Sequence, residues 1–72
     1  MESIQRAANS HNRAADHLDQ AARHHREAAK HYEAGNNEKA GHHAHIAYGH
    51  SRHALHLADE AGRLHAAQFG EA

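Results

Sequence analysis

Histidine is the residue type in this chain with the most evident chemistry. It accounts for 12 of the 72 residues, whereas cysteine is absent and methionine occurs once. Imidazole titrates near neutral pH and is the commonest protein ligand for borderline transition metals. The histidines recur at helical spacing along the chain and do not cluster in a tail. This pattern predicts a protein that handles metal ions, protons or both.

The spacing of these histidines predicts which of them bind metal. Residues three or four apart share one face of a helix, which is the geometry that two ligands of one ion need. His50, His53 and His56 follow one another at steps of three. The candidate ligands are His24, His25, His31, His42, His43, His50, His53 and His56. The nearby carboxylates are interpreted as surface charges or as hydrogen-bond partners of bound imidazoles: Glu27, Asp59 and Glu60.

For five histidines the sequence supports other interpretations. His45 and His65 are predicted to be solvated polar residues on helix flanks. His11 and His25 fall at predicted core-facing positions, where a hydrogen-bonded core histidine and a metal ligand are equally good interpretations. For His17 both interpretations stay open.

The donor types indicate which ions fit. Imidazole with occasional carboxylate suits the divalent ions Zn²⁺, Ni²⁺, Co²⁺ and Cu²⁺, whereas the lack of cysteine argues against Cu⁺. No Glu-x-x-His motif occurs, so di-iron chemistry of the ferritin type is not expected. The chain also lacks a nucleophile–base arrangement and a glycine-rich phosphate loop, and we therefore expect no enzymatic activity.

Two long helices must position these side chains. Proline is absent and alanine, the best helix former, recurs throughout. The clearest break lies at Gly35, which suits a helix C-terminus, and at Asn36 or Asn37, which suit an N-cap. The sequence predicts an all-α helical hairpin over 1–72, with helix 1 at about 3–34, a turn at 35–37 and helix 2 at about 38–68. The short turn makes the helices antiparallel.

A seven-residue repeat in the first helix predicts the surface that meets the second. One row consists of Ala7, Ala14, Ala21 and Ala28. The neighbouring row is predicted to complete the seam between the helices and consists of Ile4, His11, Leu18, His25 and Tyr32. The row on the other flank consists of Ser10, His17, His24 and His31. An alanine-rich seam favours a close antiparallel coiled coil.

The second helix keeps the same repeat. Its seam is predicted to combine the row Ala40, Ala47, Ala54, Ala61 with the row His43, His50, Leu57, Leu64. The turn position then places His31 opposite His43 and His24 opposite His50. Tyr48, Leu55 and Phe69 lie further round, so the apolar face is wider than one partner helix can cover. This width predicts a homodimer that forms a four-helix bundle; the alternative is a looser monomeric hairpin.

Charge and hydropathy exclude other classes of protein. The net charge is −1 with neutral histidines, which lacks the basic signature of a nucleic-acid binder. No stretch approaches the roughly 20 apolar residues of a membrane span. The first residues lack the apolar core of a signal peptide, so a cytoplasmic location is expected.

The segments 21–35 and 38–45 carry a distinctive arrangement of alanine and histidine. With their surroundings they resemble a group of small histidine- and alanine-rich bacterial proteins, over most of residues 7–56. The resemblance implies a bacterial origin and a natural helical unit. It carries no established activity, so no functional residue is transferred from it.

Two functions follow from these patterns. The first is binding, buffering or storage of divalent transition metal ions by histidines of the bundle. The alternative is a pH-responsive structural or interaction module, in which seam histidines are neutral at pH 7 and control self-association. Their protonation would then destabilise the bundle in acid.

Overall fold

The computed structural model describes residues 2–68, apart from the side chains of residues 3 and 68. Two helices account for almost all of this range: α1 spans Glu2–Glu33 and α2 spans Asn37–Gln68. The all-α prediction is confirmed, and the predicted limits of both helices agree with the structure to within one residue. Phe69, which the sequence places on the apolar face, lies outside the described residues.

The turn between the helices has the backbone geometry expected of a glycine-terminated helix. Gly35 has a φ of 83°, in the left-handed region that favours glycine. Its N–H donates to the Tyr32 carbonyl at 3.1 Å, and the Asn36 N–H donates to the His31 carbonyl at 2.8 Å. These two bonds form a Schellman motif, which satisfies carbonyl groups at the end of α1. The Asn36 carbonyl then accepts from the Ala40 N–H at 3.0 Å, which starts α2.

The helices pack against each other as an antiparallel hairpin of 53 × 20 × 12 Å. On α2 both predicted seam rows face α1. Ala40 and Ala47 are fully buried and Leu57 is 3% exposed, while His43 and His50 are half-buried. The prediction for the α2 seam is confirmed.

The predicted seam of α1 is wrong in one of its two rows. The alanine row is buried at Ala14, Ala21 and Ala28. The row that completes the seam follows the alanines by three residues and consists of Ser10, His17, His24 and His31, all buried or half-buried. The row that was predicted there is exposed throughout: Ile4, His11, Leu18, His25 and Tyr32.

The physical reason lies in the matching of the two helices. On α2 the alanines also pair with the row three residues later. Alanines and imidazoles therefore alternate at His17, His24 and His31 of α1 and at His43 and His50 of α2. Alanine allows close approach, and the imidazole rings then stack across the seam, as the ring contacts show. The branched and bulky residues of α1 are left on one side of the hairpin.

The hairpin has a thin core. Within residues 2–68 the buried hydrophobic residues are seven alanines and Leu57. Neither described helix contains a segment long and apolar enough to cross a membrane.

Candidate functional site

Six histidines form one continuous row along the seam, which we call the histidine ladder. They come from the two helices in strict alternation. Five of them recur at seven-residue intervals in the seam rows, whereas His53 is exposed, lies three residues after His50 and joins the row by stacking on His17. From the turn towards the open end the ladder consists of His31, His43, His24, His50, His17 and His53.

Neighbouring rings of the ladder are in contact or nearly so. Ring centroids are 5.4 Å apart between His31 and His43 and 5.2 Å apart between His43 and His24. The His24–His50 step is the widest, at 6.0 Å. His17 then lies 5.1 Å from His50 and stacks on His53 at 4.2 Å. Imidazoles from both helices therefore supply nitrogen donors along a single line.

Two pairs in the ladder bring ring nitrogens together directly. The Nδ1 atoms of His17 and His50 are 2.8 Å apart, and those of His24 and His43 are 3.0 Å apart. In such a contact one Nδ1 carries a hydrogen and donates, and the other Nδ1 carries none and accepts. Two imidazole nitrogens bound at about 2.0–2.1 Å to one tetrahedral Zn²⁺ would be about 3.3 Å apart. Each pair is thus close to the spacing that a shared ion requires.

The turn end of the ladder adds a carboxylate. Glu27, His31 and His43 each offer one ligand atom, and these atoms lie within 4.8 Å of one another. Glu27 and His31 share a face of α1 because they are four residues apart, and α2 brings His43 to them. All three residues are half-buried. This group, which we call the triad, could hold one metal ion with two nitrogen ligands and one oxygen ligand.

The two oxygens of Glu27 have separate roles. Oε2 accepts a hydrogen bond from the Lys30 ammonium at 3.3 Å, and Oε1 lies 3.9 Å from Nε2 of His31. The hydrogen bond and the charge of Lys30 lower the pKa of Glu27, and His43 and His31 act in the same direction. The carboxylate is therefore ionised at neutral pH, and its Oε1 faces the imidazoles of the triad.

Two histidines of the ladder, His17 and His24, have lowered pKa values. Burial lowers the pKa of His17 below its usual 6.5, and the nearby His53, His50 and Arg13 add to this effect, against a smaller opposing effect of Asp16. The pKa of His24 is also lowered, first by burial and then by His43, His50 and Arg23, with Glu27 opposing. The lowered pKa values of both rings favour the neutral form, which is the form that binds metal.

These two pKa shifts predict that the metal-free hairpin loses stability in acid. Between the lowered folded pKa and the unfolded value of 6.5, the unfolded chain binds more protons than the folded one. The contribution of these two residues to the free energy of unfolding is therefore fully present well above pH 6.5, and it is lost as the pH falls below that value. The melting temperature, followed by circular dichroism, should decrease from pH 7.5 towards pH 5.5.

A matched pair of variants separates the ladder from the other histidines. His45 is exposed, so His45→Gln should keep the wild-type dependence on pH. His17→Gln combined with His24→Gln should flatten it. A melting temperature that stays constant or rises on acidification of the wild type would contradict the assignment of these two rings.

The structure brings together five of the eight histidines that the sequence singles out as ligands: His24, His31, His43, His50 and His53. The other three lie outside the ladder. His25 and His56 are exposed, and His56 lies beside Arg52 and Asp59. His42 is exposed and touches the ladder only through an edge contact with His43, with centroids 5.9 Å apart. The predicted exposure of His45 and His65 is confirmed.

Sequence reasoning underestimated two residues of the site. His17 lies inside the ladder and contacts both His50 and His53. Its signal was the seven-residue interval that relates it to His24 and His31. Glu27 belongs to the triad, and its signal was the four-residue step to His31 on the same helix face.

Compared with known proteins, the chain matches no protein family, no curated protein and no solved structure significantly. The resemblance to small histidine-rich bacterial proteins therefore stays a prediction, and the functional argument rests on the geometry of the site.

Proposed function

We propose that this protein binds divalent transition metal ions through the histidine ladder and buffers or stores them in a homodimeric four-helix bundle. The observation that carries the proposal is the triad, in which Glu27, His31 and His43 from two helices bring their ligand atoms within 4.8 Å. The donor set suits Zn²⁺, Cu²⁺, Ni²⁺ and Co²⁺, and intrinsic affinity is highest for Cu²⁺.

Buffering or storage is favoured over a single structural site because donors continue beyond the triad. The pair His17–His50 offers a separate two-nitrogen arrangement further along the seam, and His24 lies next to His43 of the triad. A ladder with several such positions can take up more than one ion per chain. A cytoplasmic location and the absence of enzymatic activity remain predictions of the sequence.

The experiment is a calorimetric titration of the chelator-treated protein with each of the four ions at about pH 7.4, where imidazole is neutral. We expect micromolar or tighter binding. His24→Ala combined with His50→Ala removes one ring from each hydrogen-bonded pair and should reduce the number of ions bound per chain.

A second double variant removes the same number of imidazoles away from the ladder. His45 and His56 are both exposed, so His45→Ala combined with His56→Ala should leave binding unchanged. Weak binding that responds equally to both double variants would refute the metal-binding proposal. The pH-responsive module would then become the better explanation of the ladder.

A further inference from the structure

One side of the hairpin carries a mainly apolar groove. A shallow groove between the helices is lined by Leu18 and Ala15 of α1 and by Leu55 and Ala58 of α2, and no charged residue lines it. Leu18 is 54% exposed and Leu55 is 65% exposed. These two leucines are therefore not buried in the core of the hairpin.

The apolar character extends along the helices at the seven-residue interval. Ile4 and Tyr32 are each two heptads from Leu18, and Tyr48 is one heptad from Leu55. All three are more than half exposed, at 52%, 55% and 58%. We call the surface formed by Ile4, Leu18, Tyr32, Tyr48 and Leu55 the apolar face.

The charged side of the hairpin lies across the seam from the apolar face. A groove there is lined by Arg6, Arg13 and Glu60. A second groove on α1 is lined by Arg23, His24 and Glu27. The ladder and the triad are therefore reached from the charged side, whereas the apolar face is formed by the opposite flank of each helix.

We infer that a second copy of this chain docks on the apolar face and that the metal sites lie within each hairpin. The broad side of the hairpin extends over 53 × 20 Å, which is large enough to contain an interface of the roughly 800 Å² per partner that a standard stable complex buries. In the exposed row of α1, His11 and His25 stand between Ile4, Leu18 and Tyr32. Ala15 and Ala58 line the groove beside the two leucines, so the leucines of one copy can pack against these small residues of the other, as in a helical bundle.

The need for a partner follows from the core. Seven alanines and one leucine bury little apolar surface, and scaffolds of this size usually require a metal, a disulfide or self-association. Disulfides are excluded because cysteine is absent. Charge occurs at the edge of the face, where Arg52 donates a hydrogen bond to the Tyr48 hydroxyl at 3.2 Å, whereas the groove of Leu18 and Leu55 is lined by no charged residue.

The second half of the inference rests on the proposed metal binding. A copy docked on the apolar face covers His11, which lines its groove, and leaves the charged side open. Ions would then enter each hairpin independently, and the number bound per chain would not depend on dimerisation.

The test measures mass in solution by sedimentation equilibrium, together with Zn²⁺ binding by calorimetry. The wild type should have twice the 7.9 kDa mass of one chain. Leu18→Glu places a carboxylate in the face and should halve the mass. Asn12 is exposed on the same helix, so Asn12→Glu adds the same charge elsewhere and should keep the dimer. A monomeric wild type, or a dimeric Leu18→Glu, would overturn the docking surface.

The metal readout separates the two parts of the inference. Monomeric Leu18→Glu should bind as many Zn²⁺ ions per chain as the wild type, and a reduced number would place the sites between copies. If the wild type binds no Zn²⁺ at all, the proposed function fails while the mass result still decides the docking surface.

If Leu18→Glu does not fold, as shown by loss of its helical circular dichroism, a measurement on the wild type replaces it. A soluble paramagnetic reagent broadens the NMR signals of methyl groups that are open to solvent. The methyls of Leu18 and Leu55 should be protected from it. Strong broadening of both would show an uncovered apolar face and would overturn the inference.

Discussion

Replacing His43 by alanine should weaken Zn²⁺ binding at the proposed triad site by more than about 10-fold. Loss of a residue that only hydrogen-bonds to a metal ligand already weakens metal binding by about 10–100-fold. His43 belongs both to the triad and to one of the two hydrogen-bonded histidine pairs. It supplies one ligand atom to the triad with Glu27 and His31, and its Nδ1 lies 3.0 Å from that of His24. Its loss therefore disrupts the triad and one hydrogen-bonded pair together. The measurement is the dissociation constant for Zn²⁺ at neutral pH, with circular dichroism to verify the helices.

The neighbouring His42 provides the matched control for this prediction. It is exposed and makes only an edge contact with the ring of His43, so His42→Ala should change the affinity little. Glu27→Gln tests the oxygen ligand, because the amide keeps a similar shape but loses the charge that attracts the ion. It should also weaken the site. Equal losses for His42→Ala and His43→Ala would mean that the triad is not the binding site.

The hairpin itself could be predicted because local signals agree. The absence of proline and the abundance of alanine favour helix everywhere except at the turn. Gly35 there adopts the positive φ that its position requires, and Asn36 accepts the first backbone bond of α2. Each of these features depends only on residues close in sequence, so a single chain contains the information.

The seam of α1 could not be settled in the same way. The alanine row is flanked by an apolar row through Leu18 and by a polar row through His24, and helical periodicity permits either to join it. Hydrophobicity favours the row of Leu18, and the structure buries the row of His24. What decides is the partner helix, whose own alanines and imidazoles match the histidine row of α1. That match is a tertiary property and has no local signature.

The same limit explains the errors in the candidate site. His25 lies beside His24 in the sequence, yet the two belong to different rows, and only His24 enters the ladder. The role of His17 could not be predicted because its partners, His50 and His53, lie on the other helix. Spacing along one helix finds side chains on a common face. Which faces meet must come from the packing of both helices.

The stability of the hairpin should depend strongly on Leu57. It is 3% exposed and forms a buried cluster with Ala14 and Ala54. The other buried hydrophobic residues in the described part of the chain are all alanines. Leu57→Ala should lower the free energy of unfolding by about 2–5 kcal/mol, since a buried leucine loses its transfer free energy and leaves a cavity. Typical domains have only about 5–15 kcal/mol in total, so this change removes a large fraction of it.

Leu57→Met is the matched control for this second prediction. It conserves volume and should cost less than about 1.5 kcal/mol. Urea denaturation followed by circular dichroism gives both values, and the protein concentration must be the same because dimerisation couples to unfolding by mass action. A change below about 0.5 kcal/mol for Leu57→Ala, as at surface positions, would contradict the packing of this level of the seam. The ladder depends on that packing, because Leu57 follows His43 and His50 in the same row of α2.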